Sequence, residues 1–353
     1  MQALVVRPGD AHTTRVADVP QPPVRGGEVA LRTLEVGVCG TDREISEGLF
    51  GVAPEGENLL VLGHEFLGTV ECDGHGFTRG DLVTAIVRRS CSHCLACNEG
   101  APDSCLTGDY NERGITRLHG FARELVAEDP AQLIGIPRSL GRLGVLAEPT
   151  SICERGIRHA RFIGGRQPWE LQRALVIGAG AIGMLSTYLL RLAGLEVWTA
   201  ARSHADDPRA ELVAASGARY VSTAEQPLTS LREEVGGFDL VVEATGDAQV
   251  MIDSIGLLRR SGVACLLGID PRHRSIELDG RVIGVDVILE NRVVFGSVNA
   301  NRIDWVAAVE SLDRARERWS DALQEFVGLR VPLDRFAEAF EHKGVKATLV
   351  LDD

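Results

Sequence analysis

The stretch Arg173-Ala-Leu-Val-Ile177, followed at once by Gly178-Ala-Gly180-Ala-Ile-Gly183, decides the fold of the second half of this chain. The compact apolar run predicts a buried strand, Met184–Leu192 then predicts a helix, and Leu195–Thr199 predicts a second strand. Between a strand and a helix, G-x-G-x-x-G is typical of a dinucleotide-binding loop, because its glycines permit a tight turn, a close pyrophosphate and helix packing. The predicted cofactor contacts of this loop are Gly178, Gly180, Ala181, Ile182 and Gly183.

The residues after the second strand indicate which dinucleotide is bound. A carboxylate at this point usually holds the ribose hydroxyls of NAD. This chain has Ala200-Ala-Arg-Ser-His204 instead, and no carboxylate precedes Asp206. Arg202 can pair with a 2′-phosphate and Ser203 can donate a hydrogen bond to it. We therefore predict NADP, with NAD possible; the alternative is that Arg202 is an ordinary surface cation.

The alternation of strands and helices continues towards residue 300. Phe238–Gly246, Gly262–Ile269 and Arg292–Ser297 predict three more strands, which together imply a doubly wound parallel sheet. Ligands bind at the carboxyl ends of the strands in such a sheet. The further cofactor candidates at these ends are Gly246, Leu267, Gly268, Ile269, Ser297, Val298 and Asn299.

The first third of the chain has a different pattern. Residues 1–8, 28–38, 63–70 and 80–87 read as short strands separated by Gly, Pro and Asp turns. Many short strands with frequent turns predict a β-rich, barrel-like unit. The whole chain is therefore predicted to combine α/β and β-rich parts.

Two short motifs in this β-rich part offer metal ligands of mixed type. Cys39 supplies a thiolate, and the adjacent pair His64 and Glu65 supplies an imidazole and a carboxylate. Zinc accepts all three donor types, and a set of two or three protein ligands leaves a position open for water or substrate. We predict a catalytic zinc site. The alternative from these residues alone is that they are scattered polar side chains.

The thiolate lobe, residues 91–105, holds four cysteines with the spacing Cys91-x2-Cys94-x2-Cys97-x7-Cys105. Four thiolates complete a tetrahedral zinc shell, and a loop without an apolar core gains its order from the metal. An iron–sulfur cluster is the alternative, because ferredoxins also use close cysteine spacings. The long last gap and the absence of Pro after Cys105 favour structural zinc.

Composition excludes several classes of function. The net charge of −13 repels nucleic acids and anionic membranes, and an aromatic content of 5% disfavours a base-stacking surface. The first residues form too short an apolar run for a signal peptide, and no window is long enough to span a membrane. Eight cysteines are too few for a disulfide scaffold. We expect a cytoplasmic protein whose partner is a small molecule, with no nucleic-acid or membrane partner.

The chain contains first Gly63-His64-Glu65, then the four-cysteine lobe and then the dinucleotide loop. In this order of motifs it resembles the zinc-dependent medium-chain dehydrogenases over essentially its full length. Within them it is most similar to the glucose (aldose) 1-dehydrogenases. The stretches that carry this likeness are Gly37–Glu44, Cys105–Ile115, Ala147–Pro149 and Gly296–Asn299.

The resemblance implies a fold and a set of roles. A GroES-like catalytic domain would comprise residues 1–157 and 300–353, and a Rossmann domain residues 158–299. The catalytic zinc would be surrounded by Cys39, His64, Glu65 and Glu148. Thr41 would contact the reacting hydroxyl and Glu112 a sugar hydroxyl, with Glu148 also near the substrate, while Ser297 to Asn299 and Lys346 would lie near the cofactor. The family also implies a homodimer or homotetramer.

Two positions depart from the family pattern. Val87 replaces a polar residue expected just before the lobe, and Ile152 replaces the Asp or Asn expected four residues after Glu148. Lost polar partners indicate a site shaped for different hydroxyls. A sugar other than glucose, a cyclitol or another secondary alcohol is therefore an alternative substrate.

Two readings outside metal-dependent alcohol oxidation stay open. One is a metal-free reductase of enones on the same fold, which the Cys39/His64 pair and the lobe disfavour. The other is a non-catalytic NADP-binding protein, because binding residues persist when chemistry is lost.

Overall fold

A computed structural model describes residues 1–271 and 275–352 of the chain. The chain forms two compact units. The first comprises Met1–Ser151, Asn299–Asp313 and the segment from Gln324 to the end of the described chain. The second comprises Ile152–Val298 and Arg314–Leu323. The domain boundaries inferred from the sequence, after residue 157 and after residue 299, stay predictions.

The secondary structure elements are as follows. The strands are β1 (Gln2–Val6), β2 (Arg15–Asp18), β3 (Val29–Val38), β4 (Leu60–Val61), β5 (Glu65–Val70), β6 (Leu82–Ala85), β7 (Arg88–Arg89), β8 (Asn111–Arg113), β9 (Arg117–Leu118), β10 (Leu125–Glu128), β11 (Leu133–Gly135), β12 (Arg173–Ile177), β13 (Glu196–Ala201), β14 (Arg219–Ser222), β15 (Phe238–Glu243), β16 (Leu258–Leu266), β17 (Val293–Gly296), β18 (Val327–Pro332) and β19 (Lys346–Val350). The α-helices are α1 (Gly40–Ser46), α2 (Leu95–Asn98), α3 (Ala147–Gly164), α4 (Ala181–Leu192), α5 (Pro208–Ala215), α6 (Leu228–Val235), α7 (Ala248–Asp253), α8 (Arg302–Phe326) and α9 (Phe336–Glu341).

The first unit is built on a mixed, mainly antiparallel sheet. Its strands run in the order β11-β6-β5-β3-β19-β18, and β10 also pairs with β3. The first half of β3 alternates between buried and half-buried residues, as expected for a strand with one face on the core. Leu31, Val36 and Phe66 contribute to that core, and Phe66 stacks on Phe121. The predicted β-rich unit is confirmed.

Two small sheets complete the first unit. One has the strand order β2-β1-β4 and the other the order β7-β8-β9. In the second of these, Arg88 of β7 is the register partner of Glu112 on β8. This pairing places the strand that leads into the thiolate lobe beside the strand that follows it.

The second unit is built on a six-stranded parallel sheet of order β14-β13-β12-β15-β16-β17. Counted within the unit, this order is 3-2-1-4-5-6, the doubly wound arrangement of dinucleotide-binding sheets. The central strand β15 is buried at every position, because helices cover both faces of such a sheet. The predicted doubly wound sheet is therefore confirmed.

The structure extends some elements beyond the sequence prediction and adds others. The predicted helix Met184–Leu192 begins earlier, at Ala181, and α8 runs from Arg302 to Phe326 with one non-helical residue at Trp319. The strand β18 escaped prediction because Gly328 and Pro332 dilute its pattern. Among the described residues, no helix is both long and apolar enough to cross a membrane.

Candidate active site

Cys39 stands where a buried strand turns into a helix. It follows β3 and is the N-cap of α1, with its sulfur accepting a hydrogen bond from the backbone N–H of Thr41 at 3.3 Å. The carboxylate of Asp42 in turn accepts the backbone N–H of Cys39 at 2.9 Å. This reciprocal capping box fixes both the thiol and the first turn of the helix.

His64 lies between Cys39 and Asp42. Its Nε2 is 3.1 Å from the sulfur of Cys39, and its Nδ1 is 3.5 Å from Oδ1 of Asp42. A ligating histidine typically presents its second ring nitrogen to a carboxylate, which fixes the orientation of the ring. Asp42 therefore holds the backbone of Cys39 by a hydrogen bond, and its other oxygen faces the ring of His64 without a hydrogen bond to it. Asp42 is not predicted as a site residue from the sequence, although the Cys-x-x-Asp spacing of the capping box signals it.

Glu65, the first residue of β5, completes the donor set. Its carboxylate lies against Gly37 on the neighbouring strand, where a side-chain Cβ would overlap it. Lys346 donates from its buried ammonium to both carboxylate oxygens, each at 2.6 Å. The family resemblance implies that Lys346 lies near the cofactor; the structure places its ammonium on Glu65.

The electrostatics of this cluster are dominated by opposing charges in a buried setting. Burial lowers the pKa of His64, but the charges of Cys39 and Asp42 outweigh it and hold that pKa well above its ordinary value. For Lys346 the burial effect is likewise overcome, chiefly by Glu65, so its pKa is raised. The donor set is therefore rich in negative charge, which favours the binding of a cation.

The residues fit a zinc ion. The donor atoms of Cys39, His64 and Glu65 all lie within 4.8 Å of one another. A tetrahedral zinc bound to a thiolate and an imidazole would hold sulfur and nitrogen about 3.6 Å apart. The pair at 3.1 Å needs to open by only about half an ångström. The sulfur, nitrogen and oxygen donors are also the types that zinc prefers.

Glu148 and Thr41 border this set without belonging to it. Glu148 is the second residue of α3 and is buried, and burial together with the negative charge of Glu65 raises its pKa to about 7, against the lowering effect of His64. It lies outside the group of three closely spaced donors. Thr41 is half-buried, and its hydroxyl makes no hydrogen bond within the part of the chain that the structure describes.

The thiolate lobe gathers its four sulfurs as the spacing predicts. The ligand atoms of Cys91, Cys94, Cys97 and Cys105 lie within 4.8 Å of one another. Cys94 and Cys105 are 3.9 Å apart at sulfur, close to the roughly 3.8 Å between two thiolates on one tetrahedral zinc. Backbone N–H groups of Cys94, Cys97 and Leu106 donate to lobe sulfurs at 3.4 to 3.5 Å. The lobe therefore fits a closed zinc site.

Within the lobe the thiols differ in acidity. A hydrogen bond from the backbone N–H of His93 lowers the pKa of Cys91 to about 5. Burial raises the pKa of Cys97 to about 11. No disulfide bond joins the cysteines of the described chain.

Glu112, the predicted sugar contact, is buried and held from two sides. Arg88 donates to its Oε1 from Nε at 2.9 Å, and Asn299 donates to the same oxygen at 2.7 Å. The other oxygen, Oε2, accepts no hydrogen bond from the described residues. Asn299 was expected at the cofactor, but its amide lies on Glu112. Arg88 is not predicted as a site residue from the sequence, because no local motif distinguishes it.

In the second unit, the glycine-rich loop connects β12 to α4. Gly178 has φ +111°, a conformation that favours glycine, and Gly180 is the N-cap of α4. A Cβ on Gly183 would overlap the carbonyl oxygen of Gly178, so the third glycine permits the close packing of helix on strand. Ala181 and Ile182 form the first turn of the helix, whose N-terminus attracts an anion.

The remaining cofactor candidates follow the carboxyl ends of neighbouring parallel strands. Arg202, which follows β13, is exposed and makes no side-chain hydrogen bond or ion pair with any described residue. Ser203 is instead engaged, because its hydroxyl lies 2.6 Å from the hydroxyl of Tyr220. The other candidates occupy the same edge of the sheet after β15, β16 and β17: Gly246, Leu267, Gly268, Ile269, Ser297 and Val298.

Comparisons with known proteins agree with this architecture. The family model of the alcohol dehydrogenase GroES-like domain matches residues 25–138, and that of the glucose dehydrogenase C-terminus matches residues 141–352. Glucose 1-dehydrogenase of Methanocella arvoryzae is 41% identical over 345 residues, covering 97% of this chain and 96% of that protein. Glucose 1-dehydrogenase 1 of Caldivirga maquilingensis is 40% identical, covering 100% of this chain and 99% of that protein.

A solved structure is similar over the same length. Glucose dehydrogenase of Haloferax mediterranei, in complex with NADP, zinc and gluconolactone, is 32% identical and superimposes with a TM-score of 0.92 over 100% of each chain. Fold and donor set together define a medium-chain dehydrogenase with a GroES-like and a Rossmann part. Within that class, the chain belongs to the zinc-dependent glucose dehydrogenase family.

Proposed function

We propose that this protein is a zinc-dependent dehydrogenase that transfers a hydride between C1 of an aldose, with glucose as the first candidate, and NADP. The observation that carries the proposal is the set of half-buried Cys39 with buried His64 and Glu65, whose donor atoms converge within 4.8 Å. Three protein donors leave a position for a substrate oxygen, as in catalytic zinc sites. Membership of the glucose dehydrogenase family supports the choice of an aldose.

The proposed roles follow from the contacts of each residue. Cys39, His64 and Glu65 hold the zinc, and Glu148 adds a carboxylate nearby. When bound, zinc supplies Lewis acidity that makes the reacting hydroxyl more acidic, and NADP supplies the hydride acceptor. The hydroxyl of Thr41, which makes no hydrogen bond with the described residues, accepts the proton of the substrate hydroxyl as it donates its own proton towards solvent.

The second unit binds the cofactor in this proposal. The loop from Gly178 to Gly183 presents backbone N–H groups and the N-terminus of α4 to the pyrophosphate. Arg202 pairs with the 2′-phosphate, which its lack of any partner among the described residues supports. Cofactor discrimination then depends on a guanidinium that pairs with no carboxylate of the described residues.

Glu112 provides sugar recognition in this proposal. Its carboxylate has one oxygen, Oε2, that accepts no hydrogen bond from the described residues. Arg88 and Asn299 both donate to the other oxygen, Oε1, so Oε2 is the oxygen that accepts a sugar hydroxyl. Val87, buried at the start of this region, offers no polar partner. Another aldose, a cyclitol or a secondary alcohol is therefore the second candidate substrate.

We also propose a homodimer or homotetramer and a cytoplasmic location. The family resemblance supports assembly, and light scattering coupled to size-exclusion chromatography measures it. A reducing compartment is supported by the thiolate lobe, whose cysteines bind metal only as thiolates.

A substrate panel tests the function. Zinc-replete protein is mixed with aldoses, cyclitols and secondary alcohols, and NADP or NAD reduction is followed by absorbance. We expect NADP reduction with at least one aldose, and no turnover when His64→Ala is substituted. His119→Ala is the matched control, because His119 contacts Val61 and Glu57 and not the donor set. No reduction with any substrate would favour a non-catalytic NADP-binding protein, and unchanged turnover of His64→Ala would refute the zinc assignment.

A further inference from the structure

Arg88 connects the thiolate lobe to Glu112. It is the residue of β7 that pairs with Glu112 on β8, and it precedes the first lobe cysteine by three positions. Its Nε donates to Oε1 of Glu112 at 2.9 Å, and its Nη1 donates to the carbonyl oxygen of Asp103 at 2.9 Å. Asp103 lies inside the lobe, in the short turn Pro102–Ser104. One guanidinium thus reaches both the lobe and the carboxylate.

The surroundings of Arg88 hold its guanidinium in one orientation. The side chain is 6% exposed, and the group lies over the ring of Tyr110 at 3.8 Å from the ring centre. A planar fork that donates in two directions and stacks on an aromatic ring cannot be replaced by the single ammonium of lysine. Lysine keeps the charge at this position but loses the two-point bridge.

A second connection joins the same two places through the segment 299–301. Asn301 donates to Oδ1 of Asp103 at 2.8 Å and to the carbonyl oxygen of Gly100 at 3.0 Å, both within the lobe. Two residues earlier, Asn299 donates to Oε1 of Glu112 at 2.7 Å. Four hydrogen bonds and the backbone of residues 299–301 therefore close a ring through Glu112, Arg88, Asp103, Asn301 and Asn299. Within it, Oε1 of Glu112 is fixed from two directions.

We propose that Arg88 is a positioning residue that couples the folded thiolate lobe to Glu112 and so presents the second oxygen of that carboxylate to a substrate hydroxyl. The inference rests on the proposed function, because it takes Glu112 to bind the substrate. In this proposal the lobe does more than stabilise its own segment, because tight substrate binding requires an ordered lobe. A carboxylate held at one oxygen keeps its other oxygen in a fixed direction, which favours one hydroxyl geometry over others.

The first test separates substrate binding from turnover. Arg88→Lys should raise the KM of the best substrate about tenfold while kcat changes by less than about threefold and the Kd of NADP is unchanged. Arg89→Lys is the matched control: Arg89 is the next residue of the same strand, but its side chain pairs with Glu128 instead of Glu112. A KM within twofold of the unaltered protein for Arg88→Lys would overturn the proposal.

A double-mutant cycle tests whether Arg88 acts through Glu112. In a Glu112→Ala background, Arg88→Lys should raise the KM no further, because the group it positions has been removed. An equal tenfold rise in both backgrounds would overturn the coupling. If Glu112→Ala alone leaves the KM unchanged in an active enzyme, the substrate role of Glu112 fails, and the coupling proposal fails with it, while the dehydrogenase function stands.

The effect of Arg88 on the thiolate lobe can be measured without catalytic turnover. Transfer of zinc from the protein to a coloured chelator is followed over time. Arg88→Lys should release the lobe zinc several-fold faster than the unaltered protein, and Arg89→Lys should not. Asn301→Ser keeps a residue able to cap α8 but withdraws its amide from the lobe, so a smaller acceleration is expected. Identical release rates in all four proteins would overturn the coupling even if the protein turned over no sugar.

Discussion

The two cysteine-containing regions of the first unit differ in where their ligands come from and in what the ligand sets leave open. The thiolate lobe collects four sulfurs from one short segment, and the set is complete without any outside donor. The donor set of Cys39, His64 and Glu65 is drawn from the ends of two neighbouring strands, β3 and β5. It mixes donor types and leaves a position open. The closed set, formed within one segment, stabilises the local fold, whereas the open set, built across a sheet, supports catalysis.

The groups that hold the ligands in place also differ between the two regions. The lobe sulfurs accept hydrogen bonds from backbone N–H groups of the lobe itself. In the open set, charged side chains hold the ligands: Asp42 faces His64, and Lys346 holds Glu65. Ionised supports add charge to the site, which tunes the metal as well as orienting its ligands.

The largest expected effect comes from opening the closed set. Cys97→Ser should lower the zinc content from two ions to one per chain and reduce the free energy of unfolding by about 4 kcal/mol, the linkage energy of a metal present at a thousand times its Kd. Calorimetry and metal analysis measure these quantities. Cys72→Ser is the control, because Cys72 is exposed and outside the lobe. Full stability after loss of one zinc would mean that the lobe does not depend on metal.

Removing a ligand from the open set should affect rate instead of stability. His64→Ala should lower kcat/KM at least about a thousandfold, equivalent to roughly 4 kcal/mol of lost transition-state stabilisation. The lobe zinc and the Kd of NADP should be retained, as metal analysis and cofactor fluorescence would show. A large fall in the unfolding temperature of this variant would erase the distinction between the two regions.

The charged support of the open set gives an intermediate effect. Asp42→Asn removes the negative charge that faces Nδ1 of His64, so the affinity for the catalytic zinc should fall about 10- to 100-fold. Competition with a chelator of known affinity measures this change, and the lobe zinc serves as the internal reference. Equal weakening of both zinc ions would show that Asp42 acts on the fold as a whole.

The smallest expected effect concerns the cofactor site, and the substitution there should leave both metal sites unchanged. Arg202→Ala should raise the KM of NADP about tenfold and leave that of NAD within twofold, because only NADP carries the 2′-phosphate. Steady-state kinetics with both cofactors measures the ratio. Arg219→Ala is the control, since Arg219 pairs with Glu196 at the amino end of β14. A parallel rise for both cofactors would contradict the predicted role of Arg202.

Much of the fold, and the identity of the metal ligands, could be predicted from patterns in the sequence. The apolar run of β12, its glycine loop and the helix after it are local features, so a short window predicts them. Cys91, Cys94, Cys97 and Cys105 are equally local. Strands such as β18 were missed because pairing with β19, and not an internal pattern, makes them strands.

The sequence by itself determined the doubly wound sheet, the four-sulfur lobe and the types of donor at the open site, because these depend on spacing along the chain. Only the tertiary structure decided which partners hold those donors. Lys346 meets Glu65, and Asn299 meets Glu112, across 281 and 187 residues of chain. Such pairs depend on strand register and side-chain direction, which no local pattern encodes. The identity of the ligands can therefore be predicted from the sequence, whereas their orientation depends on the tertiary structure.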